Sequence, residues 1–226
     1  MLANVVALTL AAGCDQSADA RSAAPSASVQ TDQSQTGMGE PYQLAGTEVW
    51  NVPDKLDGRT YQVYVALPPS YDASPNRTYP VLYVTDAHYA FPLIRQFARR
   101  MNVDSPVIAE HILVGLAYAL GEEGNASRRL DYTPTPTPTP NRISGGGPAY
   151  QAWLKGSVLP FIENKYRADA RQRVLLGHSY GGLLAAQVLF SDPETFSGYV
   201  WVARPSGTTT TICSAPRLPM PPNMMT

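Results

Sequence analysis

Val174-Leu175-Leu176-Gly177-His178-Ser179-Tyr180-Gly181-Gly182-Leu183-Leu184-Ala185-Ala186 decides the fold of this chain. An apolar run stops at Gly177, a polar cluster follows, and a second apolar run starts with a different periodicity. A buried strand that turns sharply into a helix reads this way. At the turn stands Gly177-x-Ser179-x-Gly181, the spacing of a nucleophile elbow. Ser179 has to project from a strained turn so that its Oγ stands over the end of the sheet. Gly177 and Gly181 fall where Cβ atoms would collide as the chain folds back. The N–H of Tyr180, at the start of the new helix, then faces a developing oxyanion.

The 226 residues suffice for one α/β domain, and the formal net charge is −1. No basic tract occurs, which excludes nucleic acid as a partner. The two cysteines, Cys14 and Cys213, sit near opposite ends and form no disulfide framework. Residues 1–14 form an apolar stretch too short to span a bilayer, and Ala11-Ala12-Gly13-Cys14 resembles a bacterial lipobox. Read as a signal, it places the protein in the periplasm or holds it on a membrane through a lipidated Cys14. Read as a merely apolar terminus, it leaves the protein in the cytoplasm. Residues 15–40 carry almost no large apolar side chain and read as a disordered linker. The folded part then runs over 41–206.

Within it, residues 42–52 predict a first strand, and the alternation of Tyr61, Val63, Val65 and Leu67 predicts a second near the sheet edge. The runs 80–86 and 110–117 are almost continuously apolar, as inner parallel strands are. A helix carrying Leu93, Ile94 and Phe97 lies between them. Residues 125–147, with a Thr-Pro repeat, predict little regular structure and a surface excursion. Helical spacing returns over 149–166, the elbow strand covers 171–176, its helix 180–190, and a last strand 196–202. Repeated strand–helix–strand units predict an α/β fold, a mostly parallel sheet with helices on both faces. Ligands then bind beyond the strands' carboxyl ends, where Asp86, the segment 128–131 and Ser179 meet.

The blocks YPVLYVTDAHYAFP (79–92), RRLDYTPTP (128–136), the long run 150–190 and PETFSGYVWVARPS (193–206) together resemble the "putative esterase" family. That family includes esterase D-like and enterobactin-type siderophore esterases. The resemblance covers residues 42–206 and implies an α/β-hydrolase fold that cleaves an ester or thioester through a serine acyl-enzyme, without a cofactor. By the same resemblance Ser179 is the nucleophile and Tyr180 gives one oxyanion N–H. Ala87 gives the other, with His88 the alternative donor. His88 and His178 are candidate substrate contacts. Arg128, Arg129 and Asp131 either clamp an anionic acyl group or pin the long loop through an ion pair. The three scattered histidines have no metal-ligand spacing, so no metal is expected.

Half of the chemistry is harder to find. A serine hydroxyl needs a base, and in this fold the order is Ser, then Asp or Glu, then His. No histidine follows His178, and Asp192 and Glu194 are the only acids after Ser179. His88, His111 and His178 are poor substitutes. From Gly207 the composition changes abruptly, and 207–226 reads as a non-family, low-complexity tail, as a frameshift would leave. The last strands are then missing and strand 198–202 is an uncovered edge. Two readings follow: a serine esterase of impaired activity that takes a small-molecule ester, or a non-catalytic protein that binds acyl or siderophore ligands.

Overall fold

A computed structural model describes residues 42–103, 106–203 and 211–214. Residues 1–14, read as a leader ending at Cys14, and 15–40, read as a linker, lie outside these residues. β1 (Thr47–Pro53) and β2 (Thr60–Ala66) form an antiparallel pair. Their connection is a turn in which Asp54 N–H donates to the Arg59 carbonyl at 2.7 Å, and Gly58 takes the positive φ of 77° that a side chain resists. The expected alternation holds in β2, whose Tyr61, Val63 and Val65 are buried.

There follow β3 (Tyr79–Thr85), α1 (Ala87–Met101), β4 (Ile112–Ala119), α2 (Gly124–Tyr132), α3 (Gly147–Trp153), α4 (Leu159–Lys165), β5 (Ala168–His178), α5 (Tyr180–Ser191), β6 (Gly198–Ala203) and β7 (Thr211–Ser214). The sheet has seven strands in the order β1-β2-β4-β3-β5-β6-β7. β3, β4, β5 and β6 pair in parallel, while β2 and β7 run against their neighbours. The sheet is thus mixed and mostly parallel, as the strand–helix alternation predicts.

Helices cover both faces. α1 packs on one side, where Phe91 and Ala87 close over Val84, Leu113 and Ala117. Gly115 permits that approach, since a Cβ there would lie 2.9 Å from Ala87 Cβ. The larger core on the other face joins Tyr61, Tyr83, Trp153, Leu154, Ile162 and Leu184. Among the described residues no helix is long and apolar enough to cross a membrane.

Three expectations need correction. The segment 125–147 is not irregular throughout, because its first part is α2. Glu123 caps that helix, its carboxylate accepting from Asn125 N–H at 3.0 Å and Ala126 N–H at 2.8 Å. The helix expected over 149–166 is interrupted by a wide π-turn at Leu154–Val158. Pro160 has no N–H to donate one turn back, and the wider turn just before it relieves the clash its ring would make. Finally, the sheet does not stop at β6. β7 arises inside the segment read as a tail and pairs with β6 from Val200↔Ser214 to Ala203↔Thr211, so β6 is not the uncovered edge expected where strands were to be missing.

α2 is held from below by Arg59, whose guanidinium reaches Glu122 at 2.6 Å and Asp131 at 3.1 Å. Asp131 also accepts from Ser127 at 2.8 Å and Tyr61 at 3.2 Å. Replacing Arg59 with Ala leaves a buried carboxylate without its charge partner. The expected loss is about 3 kcal/mol in urea unfolding, and Asp131→Asn in the Arg59→Ala background is expected to recover part of it.

Candidate active site

β5 ends at His178 and α5 begins at Tyr180, so the whole reversal falls on Ser179. Its φ of 56° and ψ of −117° lie where a residue with a Cβ is strained, at a cost of about 1–3 kcal/mol. The flanking glycines make the reversal possible. A Cβ on Gly177 would lie 2.1 Å from the Gly181 carbonyl oxygen, and one on Gly181 would lie 2.1 Å from Thr85 Oγ1. The elbow therefore rests on the last residue of β3. Ser179, His178 and Tyr180 are all exposed.

The neighbouring strand end is strained as well. Asp86 is buried in the left-handed region, at φ 58° and ψ 46°, and leads into α1. Its carboxylate is fully engaged. Oδ1 accepts from Tyr118 OH at 2.8 Å and Arg128 Nε at 2.7 Å. Oδ2 accepts from Tyr89 OH at 3.0 Å and Arg128 Nη2 at 3.2 Å. Burial and then the Asp86 carboxylate push the Tyr118 phenol well above its ordinary range, so it stays a protonated donor.

Ala87 and Tyr180 are the first residues of α1 and α5, where backbone N–H groups have no partner within the helix. Both helix dipoles present their positive ends on this edge. Arg128 reaches across it: Nη2 also donates to the His178 carbonyl at 3.2 Å, and the guanidinium lies 5.1 Å from the Tyr180 ring centroid. Arg129 turns away and donates to the Ile143 carbonyl at 3.3 Å, pinning the Thr-Pro loop. Asp131 lies within the Arg59 network. The open alternative thus divides: Arg128 is at the site, Arg129 holds the loop, and Asp131 anchors α2.

His88 is exposed beside the site, with Nδ1 3.2 Å from Tyr64 OH and its ring 5.0 Å from that of Tyr118. His111 precedes β4, and its Nδ1 lies 2.8 Å from the Ala109 carbonyl. Because β4 and β5 run the same way, His111 stands at the opposite edge of the sheet from Ser179, about 25 Å away along the strands. Sequence reasoning put Asp86 and Arg128 on one edge but missed their pairing and the phenols of Tyr89 and Tyr118. The available signal was a carboxylate closing an otherwise apolar strand run.

A family model described as Putative esterase matches residues 55–209, more than half of the chain. The ferri-bacillibactin esterase BesA of Bacillus subtilis is 28% identical over 75% of this chain and 62% of its own. The apo-salmochelin esterase of Escherichia coli O6:H1 is 31% identical over 65% of this chain and 48% of its own. The chain thus spans between about half and five-eighths of these curated relatives' length. Among solved structures, the BES protein from Bacillus cereus is similar at a TM-score of 0.65 and 26% identity, covering 73% of this chain and 63% of that one.

The elbow's steric basis is directly testable. Gly181→Ala drives a Cβ into Thr85 Oγ1 and is expected to cost at least about 2 kcal/mol in chemical denaturation. Adding Thr85→Ala removes the closest atom and is expected to return part of that loss, whereas additive losses would contradict the contact.

Proposed function

The chain belongs to the Putative esterase family, and from that membership we propose that it cleaves carboxylic esters through an acyl-enzyme on Ser179. The observation that carries this reading is the strained, exposed Ser179 at the edge where α1 and α5 begin, each with opening N–H groups that have no partner within its helix. Ser179 Oγ attacks the acyl carbonyl and the hydroxyl proton leaves for a base. The carbonyl electron pair moves onto oxygen, where the N–H groups of Tyr180 and Ala87 hold it. Collapse of the tetrahedral adduct expels the alcohol, and water releases the acid by the same steps. Donors of this kind are each worth about a hundredfold or more in rate.

The proton acceptor is the weak link. His111 stands at the far edge of the sheet, His178 adjoins the nucleophile, and His88 lies beside Tyr64 and Tyr118. In our reading, turnover that rests on these three histidines is slow, with water taking the proton. For substrate, the rings of Tyr180, Tyr89 and His88, all exposed at this edge, support an ester with an aromatic acyl group. Relatives named as siderophore esterases support a siderophore ester in particular. The placement of His111 at the far end of the strands and the contacts of His88 with Tyr64 and Tyr118 favour one other reading, a protein that binds such a ligand without cleaving it.

Hydrolysis of p-nitrophenyl acetate separates the two. Slow turnover, accelerated by added imidazole and lost in Ser179→Ala, is the expected result, because free imidazole can take the Ser179 proton. Equal rates for wild type and Ser179→Ala would overturn the esterase reading. Tight binding of a siderophore ester with neither turnover nor fluorophosphonate labelling would establish the binding reading.

A further inference from the structure

The two oxyanion donors sit on chain segments that are far apart in sequence. Ala87 opens α1 and Tyr180 opens α5, and each follows a residue with positive φ, Asp86 or Ser179. The pairing of β3 with β5 and the contact of Gly181 with Thr85 bring the two helix starts to one edge, and a third element bridges the two turns themselves. One nitrogen, Arg128 Nη2, donates both to Asp86 Oδ2 and to the carbonyl of His178, each at 3.2 Å, while Nε holds Asp86 Oδ1 at 2.7 Å. The first acceptor belongs to the residue before Ala87 and the second to the residue before Ser179. The arginine comes from α2, which the Arg59–Asp131–Ser127 network holds against β2 and β4. The Asp86 side chain is 1% exposed and that of Arg128 is 17%, so solvent screens this pair little.

We propose that Asp86 and Arg128 are a positioning pair that sets the distance between the two oxyanion N–H groups and the Ser179 hydroxyl. This rests on the esterase reading above. A guanidinium suits the task because its planar fork reaches two acceptors in fixed directions, which an ammonium does not. Tyr118 and Tyr89 complete the four donors around the carboxylate and keep it from rotating. The arginine thereby acts through its neighbours, and its charge is already neutralised by Asp86 before any substrate arrives. A residue that clamped an anionic acyl group would instead keep its donors free for it.

The test uses the full chain with imidazole present, and two p-nitrophenyl esters, the neutral acetate and the anionic succinate. Asp86→Asn keeps the shape and tolerates the left-handed backbone, yet gives up the charge that orients Arg128. Arg128→Met removes the bridge and retains the stem. Both are expected to lower kcat by about tenfold to a hundredfold on both esters alike, with KM changed less than twofold. Arg128→Lys is expected not to restore it. The double variant is expected to be no slower than either single one, since the two residues act as one unit. The rate at which a fluorophosphonate labels Ser179 should fall in parallel. A rise in KM confined to the succinate ester, losses that multiply in the double variant, or rescue by Arg128→Lys would each overturn the proposal. If Asp86→Asn does not fold, the Arg128 variants still decide it through the two esters. Equal rates for Ser179→Ala and wild type would instead remove the esterase reading itself, so the two failures are distinguishable.

Discussion

Where β5 becomes α5, the Gly181 carbonyl and the Gly177 Cα approach so closely that no Cβ fits between them. The direction of α5 follows from this contact, and with it the burial of Leu184, Ala185 and Val188. The strain at Ser179 is about 1–3 kcal/mol, while burying side chains of the size of Leu184 and Val188 contributes about 1.5–3 kcal/mol each. The helix therefore holds the serine in place, and a looser turn would give up more apolar contact than it relieved in strain. Thr85 transmits the same constraint to the next strand, since Gly181 sits directly against it.

A second constraint lies one residue further on, at Asp86. A fully buried carboxylate is unfavourable unless charge and hydrogen bonds meet it, and here one guanidinium and two phenols do so. The arrangement ties three segments together: the end of β3, the middle of α2 and the end of β5. Its chemistry is borrowed from stability. Ion pairing that satisfies a buried charge also fixes the chain geometry on which an acyl-transfer site depends.

The elements with strong periodicity were legible from residues alone. Alternation marked β2, continuous apolar runs marked β3 and β4, and the glycine spacing marked the elbow. What escaped had no local signature. α2 has few apolar side chains and a glutamate as its cap, so neither pattern nor capping residue announced it. The π-turn follows from Pro160, whose effect depends on the turn before it. β7 is a strand only because β6 offers it an edge, and its own sequence says little. The partners of the Asp86 carboxylate lie up to 42 positions away, a pairing that no spacing rule contains. Arg128 and Arg129 are adjacent in sequence yet serve different ends, because neighbouring residues on a helix point about 100° apart.

The Thr-Pro segment between α2 and α3 is closed at its base. Gly146 N–H donates to the Leu130 carbonyl at 2.8 Å and Gly147 N–H to the Thr133 carbonyl at 2.9 Å, while residues 134–143 are exposed. The fold thus meets the chain again before the helix that follows begins, and what lies between those bonds is thermodynamically insulated from the core. Lengthening such a closed segment costs only slowly with its size. The tip is in effect an exchangeable cassette, through which the outer surface of this protein can diversify while its sheet and its serine stay as they are.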